Sequence, residues 1–281
     1  MADRVVLWHN GGLVDSGVAA LRWSDHGITV GDGVFETIEL RAGSPFALTR
    51  HLDRLERSCA GLRFAAPQRS ELHRAVDAVS SEWGTTGGRM RITVTTGEGP
   101  MGSERGPGPL SLLVSATAMT VATAPTAVLS VAATRNERGA LVGLKTTSYA
   151  ENVVALHQAR EAGATEAVFA NTVGELCEGT GSNVFVGIGG RLLTPPLSSG
   201  CLAGVTRALL LDALNAAGTP AFEESIQMKD WPMVDEAFLV STGRHVQPIE
   251  RIDDTALDAP GPLTRTAARV WHDAYDLAVD P

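Results

Sequence analysis

Two short stretches restrict the fold more than any other feature of the sequence. In 5-VVLWHNGGLV-14 and 183-NVFVGIGGRLLTPP-196, apolar β-type runs fold back around glycine. The first reads as a hairpin around Asn10-Gly11-Gly12, and the second has the same form. One lies in each half of the chain. Antiparallel hairpins in both halves, set among helical segments, predict an α+β fold rather than a doubly wound parallel sheet.

The remaining pattern agrees. Leu52, Leu55, Cys59 and Leu62 fall at helical spacing in 49-TRHLDRLERSCAGL-62, and Gly61 is placed to end that helix. A second helix is expected over 69-RSELHRAVDAVSSEW-83, followed by strands in RMRITVTTGEG and LSLLVSATAM. Between those strands runs 97-GEGPMGSERGPGP-109, a long Gly/Pro loop of the kind that often carries function. The small, polar TVATAPTA segment reads as a linker. It predicts an N-terminal domain over 1–118, a linker over 119–126 and a C-terminal domain over 127–281. Strands are expected at AVLSVAAT, EAVFAN, GELCEG and EAFLVSTG, with helices at ENVVALHQAREAG and 205-VTRALLLDALNAAG-218.

Composition excludes several classes. A net charge of −9 with scattered arginines offers no basic stripe, so no nucleic-acid partner is expected. Cys59, Cys177 and Cys201 are odd in number and widely spaced, which argues against a disulfide framework or structural zinc and suits a reducing cytoplasm. The opening residues lack a signal-peptide core, and no apolar run approaches a membrane span, so no membrane partner is expected. HExxH, GxSxG and a Walker lysine are absent, and 31-GDGVFE-36 fails as a GxGxxG fingerprint because Glu36 holds the sixth place. No metal site is expected, and His26 and His51 read as structural or surface histidines.

What remains is a set of separated candidates. Of 23 basic residues only Lys145 and Lys229 are lysine. A lysine amine loses its proton when desolvated and attacks a carbonyl, which arginine does not do. Lys145 follows the apolar Leu141, Val142 and Leu144. Glu178 precedes a Gly-Thr-Gly-Ser-Asn turn, where a carboxylate can face a cofactor ring nitrogen. The helix beginning at Val205 follows a glycine, and free N–H groups at such a start take phosphate. Arg54, near Arg50 and Arg57, brings a fork of donors. A lysine for an imine, an acid for a ring nitrogen and a phosphate site are the parts needed to hold pyridoxal 5′-phosphate.

On these residues the sequence resembles the fold-type IV, or class IV, pyridoxal-phosphate aminotransferases. That family includes branched-chain and D-amino acid aminotransferases, (R)-selective amine transaminases and 4-amino-4-deoxychorismate lyase. DHGITVGDGVFETIEL, HLDRL, LKTTSY, ELCEGTGSNVF, GVTR and LVSTG match family segments in order, from about Trp8 to about Pro248. The resemblance implies two α/β domains with the cofactor between them, the second carrying the lysine. It implies an aldimine on Lys145, the ring nitrogen on Glu178, Tyr149 near the phenolic oxygen, and phosphate held by Arg54, Val205, Thr206, Ser241 and Thr242. Phe35 and Thr37 would line the substrate pocket. A homodimer is implied, with the 97–109 loop closing the partner's site.

The implied reaction is transamination between an amino acid or amine, D-amino acids and (R)-amines among the family's donors, and a 2-keto acid. The Arg-x-His of D-amino acid enzymes is replaced by Met101-Gly102-Ser103, and the Tyr-x-Arg of branched-chain enzymes by Arg89-Met90-Arg91. Arg89, Arg91, Arg135, Arg138 and Arg244 are the candidate replacement carboxylate binders. Thr37 matches the lyases, so a lyase forming 4-aminobenzoate and pyruvate in the folate pathway is the alternative. A non-catalytic cofactor- or metabolite-binding protein is the remaining one.

Overall fold

The computed structural model describes residues 4–17 and 20–281. The chain divides into two compact units. One comprises the chain up to Thr120 with Leu144–Tyr149 and Val279–Pro281, and the other comprises Val121–Gly143 and Ala150–Ala278. None of the helices among the described residues is long and apolar enough to cross a membrane.

The first unit holds strands β1 (Val5–His9), β2 (Gly12–Val14), β3 (Gly33–Arg41), β4 (Ser44–Pro45), β5 (Gly88–Thr95) and β6 (Ser111–Thr117). They form an antiparallel sheet in the order β2-β1-β6-β5-β3-β4. Its helices are α1 (His26–Thr29), α2 (Leu48–Gly61) and α3 (Arg69–Trp83). The period-two alternation of β3, β5 and β6 gives the sheet one apolar face. Val34, Ile38, Leu40, Met90, Ile92 and Val114 pack there against the stripe Leu52, Leu55 and Cys59 of α2 and Leu72, Val76 and Val79 of α3. Gly61 ends α2 as expected, and it does more. A Cβ there would lie 2.5 Å from Leu144 Cδ2, so its bare backbone admits the residue before Lys145.

That approach explains a departure from the expected domain plan, in which the second domain carried the lysine. β4 covers only the end of β3, at Leu40 and Arg41. The open first half of β3 is taken by the lysine segment: Phe35 N donates to Lys145 O at 3.0 Å and Thr147 N to Gly33 O at 2.8 Å. Lys145 N donates to Ser58 Oγ of α2 at 3.1 Å. Leu144–Tyr149 is therefore part of the first unit.

The second unit holds β7 (Thr126–Arg135), β8 (Glu166–Asn171), β9 (Leu176–Gly179), β10 (Asn183–Ile188), β11 (Arg191–Thr194), β12 (Ala221–Glu223), β13 (Glu236–Ser241), β14 (His245–Ile252) and β15 (Thr255–Ala256). The order is β12-β11-β10-β13-β14-β7-β8-β9, with β15 on β14. The β10–β11 hairpin forms as read from the sequence. Three pairs are parallel, β7 with β8, β7 with β14, and β11 with β12. The helices are α4 (Ala150–Glu161), α5 (Val205–Ala216) and α6 (Pro262–Tyr275). Ala155 and Ala159 of α4 pack on Ala127, Ala167 and Phe169. Sequence reading passed over α6. Pro262 opens it, and Glu236 closes its first turn by accepting from Leu263 N, Thr264 N and Thr264 Oγ1.

Candidate active site

β3 separates two polar sets in the first unit, because successive side chains point to opposite faces. Phe35, Thr37 and Glu39 lie opposite Thr93, Arg91 and Arg89 of β5 in register, on the face away from α2 and α3. Lys145 Nζ sits over this face, 4.2 Å from the centre of the Phe35 ring and 5.8 Å from that of Tyr149. Tyr149 meets Phe35 edge-on at 5.3 Å between centroids. Arg91 Cζ is 3.8 Å from the same Phe35 ring. The Arg91 guanidinium keeps solvent contact, yet the protein around it lowers its pKa, burial first and the charge of Arg89 also contributing.

Glu36 points the other way, under α2. Arg54 Nε and Nη2 donate to its two oxygens at 2.8 and 2.6 Å, and His51 Nδ1 lies 2.7 Å from Oε2. Glu36 is completely buried. Burial raises a carboxyl pKa, but the Arg54 charge and the hydrogen bonds from Arg54 and His51 outweigh it and bring Glu36 down to about 2. Burial lowers the pKa of His51.

In the second unit, Glu178 lies on β9 with Oε2 accepting from Leu202 N at 2.8 Å. Arg135, from the end of β7, approaches Oε1 at 3.3 Å and lies over the Phe169 ring at 4.0 Å. Leu202 O in turn accepts from Asn183 Nδ2 at 2.9 Å. The short stretch gripped on both sides leads into α5. No side chain caps α5 at Gly204, and Val205 and Thr206 are buried at its first turn. A Cβ on Gly204 would fall 2.0 Å from Asn183 Oδ1, so glycine is what lets the acid and the helix start be held together. Helix N-termini present unsatisfied N–H groups, and the N-cap Gly204 brings no side-chain acceptor to this one. Ser241 ends β13, and Thr242 follows in the turn to β14.

The sequence from residue 33 to 252 matches the family described as amino-transferase class IV. This chain belongs to the class IV aminotransferases. It is 30% identical over 259 residues to a putative branched-chain-amino-acid aminotransferase of Methanocaldococcus jannaschii, covering 90% of this chain and 89% of that one. It is 30% identical over 266 residues to the D-alanine aminotransferase of Bacillus licheniformis, covering 91% and 92%. The crystal structure of the branched-chain aminotransferase of Thermoproteus uzoniensis with norvaline superposes with a TM-score of 0.89 at 28% identity, covering 95% and 93%. The α+β fold expected from the hairpins is that of this family.

Within this class IV aminotransferase, the first unit brings together Lys145, Tyr149, Phe35, Thr37 and Arg91, and separately Arg54 with Glu36 and His51. The second brings Glu178 to Val205 and Thr206. Two arginines considered as carboxylate binders are engaged elsewhere: Arg135 by Glu178, and Arg244 by Glu166 at 3.4 Å and by Gln247. Arg138 is on the surface beside Glu137. Arg89 and Arg91 remain, and no carboxylate among the described residues lies within ion-pair distance of either. Sequence reading missed Glu36 as the partner of Arg54. The signal was present in register, since Phe35 and Glu36 must face opposite sides of β3.

Proposed function

We propose that this class IV aminotransferase moves an amino group between an amino acid or amine and a 2-keto acid, with pyridoxal 5′-phosphate held at Lys145. The observation that carries the reading is the Lys145 amine, placed over Phe35 and Tyr149 with Arg91 on the same ring. When bound, the cofactor supplies an electron sink for the bond broken at the amino carbon. The residues suit such a group. Glu178 offers a fixed carboxylate to a ring nitrogen. The uncapped start of α5 at Val205 and Thr206 offers N–H donors to a phosphate, with Arg54, Ser241 and Thr242 assigned to the same anion.

Each residue then has a role. The Lys145 amine takes the proton from the substrate's amino carbon and returns it. Phe35 and Tyr149 shield that amine from water. Glu178 holds a proton at the ring nitrogen, and Arg135 keeps the carboxylate oriented. Arg91 takes a substrate carboxylate, and Thr37 lines the pocket beside it. D-amino acids and (R)-amines are the proposed donors, in keeping with the similarity to a D-alanine aminotransferase. A homodimer in which the 97–109 loop closes the partner's site is proposed on the family resemblance. The three free, buried cysteines accord with the cytoplasm as the proposed location.

The test is an absorption titration. Wild-type protein loaded with pyridoxal phosphate is expected to show a near-visible band that bleaches when D-alanine is added without keto acid. Lys145→Met is expected to lack both the band and turnover, and turnover in that variant would refute the assignment. A second reading rests on Thr37, which faces the same side as Arg91. A lyase releases pyruvate from aminodeoxychorismate with no keto acid present, whereas the transaminase needs one.

A further inference from the structure

Several arginines of the first unit are satisfied by acids. Arg54 binds Glu36, Arg69 binds Asp53 and Glu56, Arg105 binds Asp32, and Arg41 binds Glu39. Arg89 and Arg91 differ. Among the described residues, Arg91 donates to Thr93 Oγ1 at 3.1 Å and stacks on Phe35. Glu39 is the acid opposite Arg89 across the ladder, but its Oε2 is taken by Arg41 Nε at 2.8 Å. Two cations therefore stand two residues apart on one strand and on one face. Such a pair is complementary to an anion, and its two centres favour two negative groups over one.

The position relative to Lys145 gives the pair its meaning. Lys145 Nζ and Arg91 Cζ lie 4.2 and 3.8 Å from the centre of one ring, so they are no more than 8.0 Å apart. A substrate carbon reacting about 3 to 3.5 Å from the lysine amine has a carboxylate within reach of Arg91. Arg89 lies further along β5, its Cα about 7 Å from that of Arg91 at the usual strand rise. The end carbons of an extended five-carbon dicarboxylate are about 5 Å apart on ordinary bond lengths. The arginine side chains span the difference.

We propose that Arg89 is a specificity-determining residue which, with Arg91, gives substrates bearing a second carboxylate a two-point hold. The inference rests on the transaminase reading for its meaning in catalysis, though binding can be measured without it. Arg91 grips one carboxylate of any acid substrate, and Arg89 adds its contact only when a second is present. A monocarboxylic substrate of the same length leaves Arg89 in water.

The experiment uses the cofactor-loaded protein and two non-reacting acids of equal length, glutarate and pentanoate, titrated against the cofactor's near-visible absorbance. Glutarate is expected to bind at least about ten-fold more tightly, the size of one charge-assisted contact. Arg89→Met is expected to remove most of that preference, Arg89→Lys to restore part of it, and Arg91→Met to weaken both acids. The ratio of kcat/KM for 2-oxoglutarate over 2-oxopentanoate should fall by a similar factor in Arg89→Met. A glutarate preference that survives Arg89→Met, or its absence from the wild type, overturns the proposal. If no keto acid is turned over while the Arg89-dependent preference persists, the transaminase reading fails and the two-point anion hold stands.

Discussion

Glu36 and Arg54 form a two-bond pair inside the first unit, at 2.8 and 2.6 Å, with Glu36 completely buried. Both bonds use Nε and Nη2 of Arg54. That side of the fork is thus locked onto Glu36. A buried ion pair is a weak source of net stability, since desolvation offsets most of its attraction. Its value here is orientation. α2 carries Arg54 one turn beyond His51, and both are fastened to the same carboxylate on β3.

This cluster makes the protein sensitive to acid in two stages. The pKa of His51 is lowered from 6.5, so the unfolded chain binds the proton more readily than the fold does. Stability therefore falls as pH drops below 6.5. Glu36 is lowered from 4.5 to about 2, so its contribution is complete above 4.5 and is lost as pH falls toward 2. A shift of that size corresponds to about 3 kcal/mol. Denaturant unfolding followed across this range should show declining stability throughout, and Glu36→Gln should flatten the part below 4.5. A wild-type profile that is level from 6.5 to 3 would contradict both assignments.

Removing Glu36 outright tests orientation more severely. Glu36→Ala leaves Arg54 buried without its acid, and such a loss typically costs about 3–5 kcal/mol. Glu36→Gln keeps the shape and one acceptor oxygen, with its NH2 turned toward a donor, so it should destabilise less than alanine and still fold. In that variant the affinity for pyridoxal phosphate, measured by equilibrium dialysis, is expected to weaken several-fold if Arg54 meets the phosphate. Unchanged affinity would detach Arg54 from the cofactor and leave the pair a purely structural one.

Gly204 gives a prediction in the second unit. Alanine there suits the backbone, with φ at −64°, but its Cβ would meet Asn183 Oδ1 at 2.0 Å. Asn183 must turn away and release Leu202 O. The segment holding Glu178 Oε2 then loosens at the start of α5. Gly204→Ala is expected to cost about 1–3 kcal/mol, the range for overpacking, and to weaken cofactor binding. Thermal unfolding with and without added pyridoxal phosphate separates the two effects.

Much of the fold was legible because it follows from periodicity. Leu52, Leu55 and Cys59 announce α2, glycine pairs announce the hairpins, and Lys145 stands out by the rarity of lysine. What escaped depends on contacts distant in sequence. Nothing local to Arg135 says that it meets Glu178, and it reads equally well as a substrate binder. Leu144–Tyr149 sits beyond the linker, and only the short reach of β4 explains why it pairs with β3. Glu36 looked like a failed motif position because its meaning lies in the opposite face of a strand. α6 was passed over for a similar reason. Its N-terminal partner, Glu236, lies on a strand separated from it by the whole of β14.

The Arg135–Glu178 pair predicts a split between binding and rate. Glu178→Gln can preserve the bond from Leu202 N but removes the charge that the proposed function assigns to a cofactor ring nitrogen. Single-turnover bleaching by D-alanine is expected to slow by about 10²-fold or more, the low end for a lost acid–base group. Phosphate anchoring should change little. Arg135→Met should show a smaller loss of rate, because it only orients the carboxylate. Equal rates in Glu178→Gln and wild type would remove Glu178 from the chemistry.

The final prediction concerns a cap supplied from far along the chain. α2 begins at Ala47 with φ at 55° and has no side-chain cap of its own. Asp280 fills the role: its Oδ1 accepts from Thr49 N at 2.9 Å and its Oδ2 from Thr49 Oγ1 at 2.6 Å. Ala47 N donates to Val279 O and Arg50 Nε to Pro281 O, at 2.7 and 2.9 Å. A carboxylate at a helix start satisfies a free N–H and opposes the helix dipole. Asp280→Ala is therefore expected to cost about 1 kcal/mol, with Asp280→Asn losing less because it keeps an acceptor. The change should appear as a lower Tm and as faster amide exchange at the first turn of α2, next to His51. Exchange that is unchanged there would mean the tail rests on the helix without stabilising it.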